Sequence, residues 1–157
     1  MNRRFRNILF VLLVAGQILI ARHYQAMRLN VDLLYLVIFL IAIRSNFLAT
    51  IFGATLVGFF SDYLSGGIMG IFAFSRTLTA YFLNTLPRFL DLKKNFFIFL
   101  LIFISLFLSN LVVFVFHILI FNAKLTAGLL LIQPLTTAAI GTLIIGNKKA
   151  KLLLDVF

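Results

Sequence analysis

From Asn95 to Ala123 the chain runs for twenty-nine residues without a charged side chain, and twenty-two of them are Phe, Leu, Ile or Val. A hydrocarbon layer about 30 Å thick is crossed by roughly 20 helical residues, so this stretch alone suffices for one crossing. Its opening part, Phe96-Phe97-Ile98-Phe99-Leu100-Leu101-Ile102-Phe103, is apolar on every face. A barrel strand would alternate polar and apolar positions, and a helix on a water-soluble surface would carry a polar stripe. The pattern predicts a helix embedded in lipid.

Similar runs fill the rest of the chain. Uncharged stretches lie at Asn7–Ala21, Leu33–Ile43, Ser45–Ser61 and Leu125–Asn147, and a further apolar segment from Ile68 to Leu86 is interrupted by Arg76 and followed by Pro87. These predict six helices, near 7–24, 29–43, 46–64, 68–86, 95–121 and 125–146. Together they make 1–157 one all-α, polytopic membrane domain with short loops. Of 157 residues, 63% are hydrophobic and only 11% charged, with a mean hydropathy of +1.15. Soluble domains carry about 25% charged residues. Too little polar surface remains for a soluble enzyme or a disordered chain, and the absence of cysteine excludes a disulfide scaffold.

Basic residues set the orientation, because cytoplasmic loops are enriched in them. With six crossings and the N-terminus inside, ten basic side chains face the cytoplasm, among them Arg88, Lys93, Lys94, Lys148, Lys149 and Lys151; Arg22, Arg28 and Lys124 face outward. Were the short second segment not to cross, the balance would invert. Both termini are therefore expected inside. The basic start and apolar stretch also resemble a secretory signal, but no A-x-A-like cleavage pattern accompanies Ala21 or Ala26, so the first helix is expected to be retained. The net charge of +10 falls at the ends of apolar runs, forming no continuous basic face for nucleic acid.

Few residues could carry chemistry. Ala54, Gly58 and Asp62 lie on one stripe of the third segment, with Ala49 and Gly53 as a second small pair. Small stripes let another backbone approach closely, whether a helix of this chain, a second copy or a partner's helix. Asp62, Ser65, Gly66, Gly67 and Gly70 predict a tight outer hairpin, since glycine tolerates positive φ. Asp62 could there accept from backbone N–H groups opening the fourth segment, or serve as a proton or cation site. Arg76 is about ten residues beyond the turn, roughly 15 Å, and Asp62 about four, roughly 6 Å. An arginine's reach makes an Asp62–Arg76 ion pair a candidate. Asp32 is a natural cap for the second segment. Asn110 and His117 share a face of the fifth segment, with Ser105 and Ser109 nearby, suited to interhelical hydrogen bonds, and Gln133-Pro134 predicts a kink, with Thr136 and Thr137 available to satisfy the freed backbone groups. No nucleophile–base pair, zinc motif or phosphate loop is present, so neither an enzyme nor a cofactor is expected.

Asn30-Val31-Asp32-Leu33-Leu34, followed by Gly58-x3-Asp62-x2-Ser65-Gly66-x3-Gly70, resembles the MreD family of bacterial rod-shape-determining proteins. Size, predicted topology and basic tail agree across nearly the whole chain. The family often has proline where this chain has Val31. The resemblance implies a non-enzymatic scaffold of the cell-elongation machinery in the bacterial inner membrane. Its implied partners are MreC and, directly or indirectly, MreB, RodZ and RodA with its transpeptidase, acting to place lateral peptidoglycan synthesis. It also implies a fold like the substrate-binding membrane subunits of energy-coupling-factor vitamin transporters. A small-molecule uptake subunit is thus the alternative function, although likeness of fold does not transfer function. On the scaffold reading, the Ala54/Gly58/Gly53 stripe would receive a partner's transmembrane helix. The basic inner loop and tail would face anionic lipid, each charge contributing about 1 kcal/mol.

Overall fold

The computed structural model describes residues 31–65, 68–85, 94–121 and 127–145, together with 15 and 16. These form five long helices and no strand: α1 (Leu33–Arg44), α2 (Phe47–Ser65), α3 (Ile71–Thr85), α4 (Asn95–Phe121) and α5 (Ala127–Ile145). Two of them, α2 and α4, are long and apolar enough to cross a membrane. The first predicted segment lies outside the described residues except for Ala15 and Gly16, which are helical. Gly66, Gly67, Arg88, Lys93, Lys148, Lys149 and Lys151 also lie outside them, while Lys94 is exposed just before α4.

Polarity is arranged inside out. The outward faces carry Phe52, Leu56, Tyr63, Leu119 and Leu143, each more than half exposed. Among the described residues, the interior holds Asp32, Asp62, Arg76 and seven serine or threonine side chains. Such a surface suits hydrocarbon neighbours, and it leaves the buried polar groups to satisfy one another. At the centre is α1, whose residues from Leu34 to Phe39 are all essentially inaccessible, so its apolar character on every side follows from its position. Tyr35, Phe39, Leu83, Ile98, Ile102 and Leu106 fill the core around it.

The α2–α3 hairpin is the tightest unit. Its antiparallel register is set by Asn84 with Thr50, Thr77 with Thr55, and the Gly70 backbone with Asp62. A Cβ placed on Gly58 would stand 2.3 Å from the Ala73 Cα, so only glycine permits this approach. Ala54 and Gly58 are buried on the same face. Ser75 joins α3 to α4 through Ser109, and Asn110 joins α4 to α5 through Gln133.

Two helix starts differ from the sequence expectation. The second segment begins at Leu33, not 29, because Asp32 has a non-helical backbone (φ −99°, ψ 85°) and serves as the cap. The fourth begins at Ile71, not 68, because Gly70 has φ +107° and so cannot belong to the helix. Helix α5 runs through Pro134 without interruption.

Candidate functional site: a buried ionic cluster

The first turn of α1 points its N-terminus into the bundle. Asp32 is 5% exposed, and one carboxylate oxygen accepts from the Tyr35 backbone N–H at 3.0 Å. This satisfies one of the donors that every helix start leaves open. The other oxygen lies 2.5 Å from Nη2 of Arg76 in a closed ion pair. The Asp32 backbone N–H donates to Thr137 Oγ1 on α5 at 3.0 Å. Asp32 therefore ties α1 to α3 and α5 at one point.

Arg76 is 3% exposed and its donors are divided among neighbours. Nη1 donates to Ser61 Oγ and to the Val57 carbonyl, both on α2, while Nη2 meets Asp32. The guanidinium carbon also stands 5.6 Å above the Phe72 ring, within range of a cation–π attraction. A planar fork with several fixed donors can reach two helices in this way, and a lysine could not.

Asp62 does a different job. Gly70 occupies the cap position of α3, and its positive φ requires a residue with no side chain to cap with. The carboxylate arrives instead from α2: Oδ2 accepts from the N–H groups of Gly70 and Ala73 at 2.9 and 3.1 Å, and Oδ1 from Phe72 at 2.9 Å. Ser65 donates to the Asp62 carbonyl at 2.9 Å, closing the end of α2.

Two expectations are corrected by this geometry. Arg76 pairs with Asp32, not Asp62, because Asp62 is committed to three backbone donors. Arg76 is also only five residues into α3, about 7.5 Å, and not the ten residues counted from the turn. The stripe at Ala54 and Gly58 is no open groove for a partner, since Ala73 and Phe72 of this chain fill it. Gly53 is likewise covered, a Cβ there meeting the Ile41 side chain at 3.3 Å. Asn110 does bond across to α5, whereas His117 Nδ1 lies 3.0 Å from the Val113 carbonyl of its own helix.

Ser109 makes an interhelical bond of the kind expected of it, with Ser75, and Thr137 does satisfy a backbone group, although it is the Asp32 N–H and not one freed by Pro134; the roles of Ser61 and Ser75 were not anticipated from sequence. Their only signal was the placement of small hydroxyl residues within apolar runs. Among the described residues, no three His, Cys, Asp or Glu side chains converge as metal ligands would. Among the described residues the arrangement is a lock between helices: Asp32 and Arg76 hold one another and neighbouring hydroxyl and backbone groups, and Asp62 holds the backbone that opens α3.

The fold and cluster define a helical bundle with two helices able to cross a membrane and an ionic core. No family model, curated protein or solved structure matches the chain.

Proposed function

We propose that this protein is a multi-pass scaffold of the bacterial inner membrane, of MreD type, with six crossings and both termini in the cytoplasm. The observation that carries this reading is the use made of the interior charges. Asp32, Asp62 and Arg76 are almost fully buried, and all three are engaged by helices of the same chain. A chain that binds and releases a small polar solute needs polar groups free to meet it; a chain that holds a shape needs them locked. The positions on which the resemblance rests agree with this. Asp32 caps and pairs, Gly58 permits close contact, and Asp62 with Gly70 builds the turn.

With the small-residue stripe occupied internally, this reading puts a partner's helix on the outward ridge of α2, one of several exposed apolar faces, formed by Leu48, Phe52, Leu56, Phe59 and Tyr63. On this reading the partner is the single transmembrane helix of an MreC-type protein. The other elongation proteins are reached directly or through it, and the basic loop and tail rest on anionic lipid.

Co-purification in nanodiscs with the host's MreC-type protein tests the proposal. A stable complex is expected with wild type, weakened when Phe52→Ala and Leu56→Ala are combined in a chain that remains folded. Absence of a complex with any elongation protein, together with a small molecule retained through purification, would favour the uptake-subunit alternative.

A further inference from the structure

Gln133 is the one carboxamide on α5, at the seventh position of a helix of nineteen residues. A rise of 1.5 Å per residue puts it about 9 Å from the start of the helix and about 18 Å from its end. It is half-buried, and its neighbours Leu131, Ile132 and Leu135 are each more than half exposed. Gln133 Oε1 accepts from Asn110 Nδ2 at 3.2 Å, its one hydrogen bond among the described residues. A carboxamide has two N–H donors and an oxygen with two lone pairs. Gln133 therefore keeps both donors and one acceptor position unspent within the bundle. Hydrocarbon offers nothing to meet them, and polar side chains so placed bond across helices.

Beside Gln133, the side chains of Ile132, Thr136 and Ala139 recur at intervals of four and three residues, which aligns them along one side of α5. Ile132 and Ala139 are exposed, and the single methyl of Ala139 lets a second backbone come near. Copies of a membrane protein share one orientation, so a two-fold axis relating two of them runs along the membrane normal. Each residue near that axis then stands at the depth of its own counterpart. A carboxamide is complementary to itself: each N–H can donate to the lone pair that the other oxygen has left after Asn110. A partner of different sequence would have to bring a donor and an acceptor to the same level. We propose that two copies of this chain associate through this side of α5, with Gln133 paired to Gln133 across the two-fold axis. The proposal rests on the reading of α5 as a crossing helix. The ridge assigned to an MreC-type helix belongs to α2 and is not used.

The chain has no cysteine, so a single introduced one reports on contact between copies. Ile132→Cys in the full chain, in native membranes with Gln133 intact, should give a disulfide-linked dimer on mild oxidation; Phe52→Cys on α2 should not. Adding Gln133→Leu should lower the linked fraction several-fold. Adding Ala139→Phe should do the same by bulk alone, since that position is exposed and leaves the Asn110–Gln133 bond in place. Without any cysteine, single-molecule photobleaching in liposomes should show Gln133→Leu weakening the dimer about tenfold, as two interhelical bonds of ordinary strength imply. No linked dimer from Ile132→Cys, in a chain that resists carbonate extraction, overturns the proposal and leaves the membrane reading standing; release by carbonate overturns both. Linkage to a different protein in place of a copy overturns it too, the face then belonging to that partner. So does a dimer indifferent to Gln133→Leu.

Discussion

Breaking the Asp32–Arg76 pair from one side should cost more than removing it altogether. Arg76→Met leaves the Asp32 carboxylate in the core with the Tyr35 N–H as its remaining donor among the described residues, and the side chains of the pair are just 7% and 4% exposed. Removing one partner of a buried pair costs about 3–5 kcal/mol. The Ser61 bond that is lost with it adds little, since hydrogen bonds between membrane helices average about 0.6 kcal/mol. A loss near 3 kcal/mol lowers the folding equilibrium by roughly 100-fold. Asp32→Asn strands the guanidinium instead and should cost a similar amount. The double variant contains neither charge, and Asn still accepts the Tyr35 N–H, so about 2 kcal/mol of the summed penalties should be absent. Reversible unfolding in bicelles, measured for wild type, both single variants and the double variant, gives this coupling energy. Strictly additive costs, or single variants within about 0.5 kcal/mol of wild type, would refute the role assigned to the pair.

Three other outcomes follow from the same geometry. Gly58→Ala should destabilise by about 1–3 kcal/mol or prevent folding, because its Cβ meets backbone atoms of Ala73; Gly141→Ala should cost less, since its Cβ meets only the movable ends of Leu36 and Ile102. Thermal unfolding of the two variants checks the order. Gly70→Ala should cost about 1–2 kcal/mol through backbone strain alone, as φ is +107° and nothing lies within 4 Å of the added carbon; Gly70→Asn should cost less, as read by the same unfolding assay. Asp62→Ala should remove the acceptor for three backbone donors and raise hydrogen exchange at Gly70, Phe72 and Ala73, with a stability loss of about 1–2 kcal/mol.

The helical class was legible because apolarity on every face, as in α4, has few structural solutions. The sequence reading placed α4 at 95–121, matching Asn95–Phe121. The starts of α1 and α3 were less legible, because Asp32 and Gly70 end the non-helical chain through backbone angles that hydropathy does not register. The ion pair was misassigned for a different reason. Among a handful of acidic residues, Asp32 and Asp62 both lie near helix ends, and depth along the chain does not say which one faces Arg76. That depends on how α1 rotates between α3 and α5. The small stripe of α2 was visible, but its occupant was not, because Ala73 is silent in sequence until the hairpin register brings it opposite Gly58.

The central claim is that the interior polar residues hold the bundle while the outer ridge of α2 meets a partner helix. Site-specific photocrosslinking in living cells tests it most directly, with the reactive group placed in turn at Phe52, Leu56 and Phe59, and at Leu143 on the exposed face of α5 as a control. The account predicts adducts with the MreC-type protein from the three α2 positions and none from Leu143. No protein adduct from any ridge position, in cells where the protein is folded and supports rod shape, would contradict it.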